Sequence, residues 1–211
     1  MESLVFMTLL ERAVICRYIN PDLYAWLSEP ENLITTNQWF SHIDRYITQN
    51  SAESAYYPSP IAIDERNRSG LTEQTTSMKR DLFPVFRFLK LVLNARQTPS
   101  ILSGGGIIKV SELLSAITEA SPLQETLKAL ASNPPFKCTS DNPQIQLTKI
   151  LETLSDPKMR YLEPGKKGLS YTVSGRVDYL NDMMAFDNDY SKLGLEKEDQ
   201  MDLQKGLGLE H

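Results

Sequence analysis

Covalent and acid–base chemistry needs a nucleophile with a base beside it, and this chain offers few of either. His42 is the one histidine inside the body, since His211 closes a Leu209-Glu210-His211 end that reads as the stub of a purification tag. A Ser-His-Asp or Cys-His arrangement would therefore have to be built on His42 alone. Its neighbours argue against that, because Trp39, Ile43 and Tyr46 take one side of a helix-spaced segment and leave His42 as a polar residue on the other. Cys16 and Cys138 lie far apart without metal-type spacing, so neither a disulfide framework nor a zinc site follows, and a reducing compartment is the default. The glycines at 104–106 are not a phosphate loop, because no Gly-Lys-Ser or Gly-Lys-Thr follows and no long apolar strand precedes them. They read as a flexible connector. The expectation is a non-enzymatic chain with no metal and no cofactor. A hydrolase or nuclease that gathers carboxylates from distant positions is the rival that spacing leaves open.

The elements that would position any site come from a soluble, globular composition. The 211 residues are 41% hydrophobic, 23% charged and 9% aromatic, enough for one ordinary domain or two small ones. The net charge of −5 is uneven: from Gly175 onward nine Asp or Glu face four Lys or Arg, which accounts for all of it. A neutral body with an acidic tail has no domain-wide basic field, so tight salt-driven DNA binding is not expected.

Along the chain, 1–19 reads as a buried apolar helix, since Glu2 precedes the run and Glu11-Arg12 interrupts it, which suits neither a signal peptide nor a membrane span. A short helix at 22–28 and a Pro30 break follow. Thr36 takes an N-cap position ahead of Trp39, Phe40, Ile43, Tyr46 and Ile47, so a third helix is expected to about Asn50. Tyr56, Tyr57, Pro58 and Pro60 suit an extended edge strand at 54–63. The polar stretch 64–77 reads as a linker. A fourth helix is expected from 78 to about 96, with Leu82, Phe83, Phe86, Leu89 and Leu93 inward and Arg80, Arg87 and Lys90 on a solvated basic stripe. Then come a strand at 107–110, helices from Ser111 and over 122–131, and a helix opened by Pro143 with Leu147, Ile150, Leu151 and Leu154 on one face. Strands at 159–162 and 169–173 flank a basic turn, Glu163-Pro-Gly-Lys-Lys-Gly168, and a last helix spans 175–186. Helix, strand, basic turn, strand is the order of a wing. The fold expected is mainly α with small β wings (α+β): winged-helix domains at 1–63 and 78–186 in tandem, a linker at 64–77, and an acidic tail at 187–211.

Particular residues carry a likeness to a known family. Glu11-Arg-Ala-Val-Ile15, then Trp39-Phe-Ser-His-Ile-Asp-Arg-Tyr46 with Ala55-Tyr-Tyr-Pro58, resemble the entry helix, aromatic helix and Tyr-Pro segment of the MukE/MksE family. Leu82 to Leu93, Leu147 to Leu154, Tyr161-Leu162 and Leu169 to Tyr179 are similar to its second domain. The departures are the glycine run and the absence of a strongly basic surface. The resemblance implies two tandem winged helices in a non-enzymatic, cytoplasmic and nucleoid-associated subunit. Such a subunit forms a homodimer and binds a kleisin of MukF or MksF type. Through it, a bacterial condensin-like SMC ATPase is served in chromosome segregation, DNA condensation or plasmid defence, with no membrane role.

The candidate partner-binding residues are Tyr56, Tyr57 and Ile61 on the edge of the 55–63 segment, where the prolines remove backbone donors and side-chain pockets would supply the affinity. Weak, sequence-independent DNA contact is assigned to Lys166 and Lys167 in the wing, helped by Arg160. The alternative is a winged-helix transcription regulator reading DNA through 143–155. Its exposed face is expected to be Gln144, Gln146, Lys149 and Glu152, with one basic residue among them, which is poor for a DNA reader.

Overall fold

The computed structural model describes residues 1–11, 14–62, 65–97 and 102–182, the side chains of 65–79 excepted. It is a mixed α+β chain, with helices around two small three-stranded antiparallel sheets. No helix among the described residues is long and apolar enough to cross a membrane.

The first unit runs α1 (Glu2–Leu10), β1 (Ile15–Cys16), α2 (Pro21–Ser28), α3 (Pro30–Ser41), β2 (Arg45–Gln49) and β3 (Ala55–Pro60). Proline at the first turn starts both α2 and α3, where its missing N–H costs nothing. The strand order is β1-β3-β2. Val5, Leu9, Ile15, Leu23, Leu27, Phe40, Ile47 and Tyr56 close a core between helices and sheet.

The second unit repeats that order with one additional helix: α4 (Glu65–Arg96), β4 (Ile107–Lys109), α5 (Val110–Glu119), α6 (Ser121–Ser132), α7 (Pro143–Ser155), β5 (Leu162–Pro164) and β6 (Ser170–Val173). Its sheet order, β4-β6-β5, again puts the last strand in the middle. α8 follows over 175–182. Phe88, Leu91 and Val92 of α4 meet Ile117, Leu127, Leu147, Ile150, Leu151, Tyr161, Val177 and Leu180 in a second, larger core. The α7 start is fixed locally, with Asn142 accepting a hydrogen bond from the Gln144 N–H at 2.9 Å and Pro143 in the first turn.

Four expectations are corrected. The first helix stops at Leu10, and Ile15 and Cys16 pair with Tyr56 and Ala55 in the sheet. Thr36 is not an N-cap: it lies inside α3, buried, with its hydroxyl donating to the Asn32 carbonyl at 2.7 Å. Tyr46 and Ile47 belong to β2, because Asp44 turns the chain at φ 55° and five consecutive residue pairs with β3 outweigh a helical spacing. The backbone of 65–77, read as linker, is the first part of the α4 helix, and residue 64 lies outside the described residues. That run holds no proline, and once nucleated a helix propagates through polar residues. The end of the last helix at 183–186 and the tail at 187–211 also lie outside the described residues.

Candidate interaction site

The two units meet at a buried polar node that no local pattern announces. In the turn between β2 and β3, Asn50 Oδ1 accepts from the backbone N–H groups of Ser54 and Ala55, both at 2.8 Å, and its amide donates to Ser54 Oγ at 2.9 Å. The Ser54 hydroxyl then donates to Asp178 of α8 at 2.6 Å, and the other oxygen of that carboxylate accepts from the Gly104 N–H at 2.9 Å. Asp178 is only 5% exposed. Beside it the Gly175 N–H donates to Cys16 Sγ at 3.0 Å, while Ser51 donates from both backbone and hydroxyl to Asp182.

The glycine run is part of this contact and not a flexible connector. A Cβ on Gly104 would lie 2.5 Å from the Asp178 carboxylate and 2.7 Å from the Tyr18 ring, and Gly105 holds φ +83° under the same ring. Close approach, together with a left-handed turn, requires glycine at both positions. Tyr57 packs against Tyr179 with ring centroids 4.3 Å apart and the rings tilted by 55°, which ties the first sheet to α8. Burial there, with Tyr179 and Asp182 adding, pushes the Tyr57 hydroxyl from 10.0 up to about 12.

These contacts redistribute the candidate partner-binding residues. Tyr56 is 6% exposed, packed on Tyr24 at 5.1 Å and paired with β1, so it is a core residue. Tyr57 is half-buried at the junction of the units, and only Ile61, 55% exposed, faces solvent. Nor is β3 an edge strand, since it lies between β1 and β2. The Ile61 N–H donates to Asp44, so by alternation Pro58 and Pro60 fall where donors would face away from β2, which blunts the side that β1 leaves uncovered. The β2 edge is closed in turn by Asn37, whose side chain accepts the Ile47 N–H at 2.6 Å.

An apolar face that sequence reading treated as buried stands open instead. α1 is apolar around its whole circumference, yet only Val5 and Leu9 are buried. Leu4 at 58%, Met7 at 55% and Leu10 are exposed on the opposite side. Phe6 stacks on Trp39 at 5.4 Å, and Leu10 joins Ile43, Phe40, Arg45 and Pro58 around an open groove of about 260 Å³. The signal was present in the sequence, since a helix apolar all round needs cover on every side.

The wing places Lys166 and Lys167 at an exposed tip, Lys167 with φ 56°. Arg160 is exposed too but sits beyond the opposite end of β5, so it does not join the two lysines. On α7, Gln146 is buried and donates to the Ser140 carbonyl at 2.7 Å, which corrects the expected exposed face to Gln144, Ile145, Thr148, Lys149 and Glu152. His42 is exposed at the end of α3, its Nδ1 2.9 Å from the Gln38 carbonyl. Among the described residues no group of three or more His, Cys, Asp or Glu is placed to hold a metal ion. No family model matches the chain, and no curated protein matches it.

Proposed function

We propose that this chain is a tandem winged-helix accessory subunit of the MukE/MksE type, nucleoid-associated, which pairs with itself and binds a kleisin of MukF or MksF type without catalysing a reaction. The SMC ATPase of a bacterial condensin-like complex is then reached through the kleisin. Two units with the same element order apart from one added helix, and a central last strand in each sheet, support the tandem winged-helix reading. The observation that carries the functional reading is the open outer face of α1 with Trp39 and Ile43 beside it, an apolar surface of the kind that protein partners cover. The regulator alternative is disfavoured by α7, whose exposed face offers one lysine offset by one glutamate.

Co-expression with a MukF- or MksF-type kleisin is expected to yield a co-purifying complex, and a wild-type chain that captures none overturns the reading. Ile61→Glu should reduce capture about fivefold or more, as loss of an exposed apolar contact at an interface does. Tyr56→Ala is not a usable probe of the partner, because it opens a cavity in the first core. Any DNA contact is assigned to the wing tip. Replacing Lys166 and Lys167 with alanine should remove weak duplex binding and flatten its log–log salt dependence by about one unit per lysine. Undiminished binding by that double variant would move the contact elsewhere.

A further inference from the structure

α4 carries a second exposed feature that neither the wing nor the α1 face uses. Its described side chains, 80–97, include Arg80, Arg87, Lys90 and Arg96 against one acid, Asp81, which is buried. At about 100° per residue, Arg80, Phe83, Arg87, Lys90 and Asn94 fall within a stripe roughly 80° wide and about 21 Å long. Phe83, expected to face inward, is 69% exposed within it, one turn from its N-terminal end. Its inward place is taken by Val85, Phe88 and Val92. Among the described residues neither Arg87 nor Lys90 has an acidic partner.

The sequence itself supplies the complement. Residues 187–202 read Asp-Asn-Asp-Tyr-Ser-Lys-Leu-Gly-Leu-Glu-Lys-Glu-Asp-Gln-Met-Asp, six acids against two lysines, with Tyr190, Leu193, Leu195 and Met201 set among them. We propose that this acidic, apolar-studded segment docks on the Phe83–Arg87–Lys90 stripe of α4 in the same molecule. Acids answer the cations, and the interleaved apolar residues answer an exposed phenylalanine that a purely ionic partner would leave wet. Asp187 lies five chain steps beyond Asp182, the last described position, a reach of up to about 17 Å, and each further residue extends it. The neighbourhood is right as well, since Arg176 of α8 and Arg80 and Asp81 of α4 all act on the buried Tyr161 hydroxyl. Tethering gives an effective concentration on the order of millimolar, so a weak intrinsic affinity suffices for docking. A nucleic acid is the less suited occupant, because two or three cations neutralise few phosphates.

The test uses a fluorescent peptide of residues 187–202 and two forms of the protein, the full chain and one ending at Phe186, which keeps every described residue. Anisotropy should show saturable, salt-sensitive binding to the shortened chain. Affinity for the full chain should be at least about tenfold weaker, because its own tail competes. Arg87→Glu with Lys90→Glu in the shortened chain should cost about tenfold or more, Phe83→Ala a smaller factor, and Lys166→Glu with Lys167→Glu nothing measurable. Arg87→Gln with Lys90→Gln, a milder change on the same exposed face, guards against a fold defect. The proposal is overturned by equal peptide affinity for both forms, by indifference to the Arg87 and Lys90 changes, or by loss on changing the wing. It is overturned equally if the shortened chain binds a labelled DNA duplex through the stripe and ignores the peptide.

Discussion

Asp178→Ala is expected to lower folding stability by about 2–4 kcal/mol, read as a shift in the urea midpoint. The carboxylate, only 5% exposed, takes two hydrogen bonds from different parts of the chain, the buried Ser54 hydroxyl and the half-buried Gly104 N–H. Truncation leaves the buried Ser54 hydroxyl and the half-buried Gly104 N–H without that acceptor, and the asymmetry of hydrogen bonding makes the loss larger than the net worth of the bonds. Asp178→Asn keeps one acceptor oxygen and should cost less, about 1–2 kcal/mol. A cycle of Asp178→Ala with Ser54→Ala should show coupling of about 1 kcal/mol or more, since Ser54→Ala removes one of the stranded donors. A shift below about 0.5 kcal/mol, the range of ordinary surface changes, would show that the node does not hold the units together.

Leu4→Glu combined with Met7→Glu should convert the proposed dimer to a monomer, a weakening of about a hundredfold or more, seen as a halved mass in light scattering. Both side chains stand on the open side of α1, so they contribute to no core in the single chain. At the proposed interface each change removes apolar burial and forces a carboxylate into an apolar contact, about 1.5–3 kcal/mol per side chain before the charge is counted. The monomer should remain folded. Position 4 lies in the first turn of α1, where a negative charge complements the helix dipole, and circular dichroism checks it. A wild-type chain that is strictly monomeric, or a double variant that stays dimeric, would remove this face from the interface.

The two predictions differ in how far the sequence reached toward them. The apolar residues of α1 were legible, and so were the Pro143 start of α7, the basic turn before β6, and the extended Tyr-Pro segment of β3. Each is a local pattern: a periodicity, a cap, a turn composition. What covers α1, and which side of β3 is inside, are not local. Strand neighbours point to opposite faces, so Tyr56 entered the core and Tyr57 the junction with Tyr179 only when β3 was paired on both sides.

Local pattern also misled where two periods overlap. Trp39, Phe40, Ile43, Tyr46 and Ile47 fit one helix face, but the last two joined β2 because β3 was there to pair with them. Phe83 looked like one more core residue of α4, and the packing of Val85, Phe88 and Val92 turned it outward between arginine and lysine. The sequence alone determined the type of the elements with one unbroken period, such as α7, the neutral body with its acidic end, and the scarcity of catalytic side chains. Tertiary structure alone decided the node, because Ser54 and Asp178 lie 124 residues apart and Gly104 and Asp178 lie 74 apart. Nothing in a local period records such distances; only the packing of the two units puts a serine hydroxyl, a glycine amide and a carboxylate within hydrogen-bonding reach and buries the serine and the carboxylate.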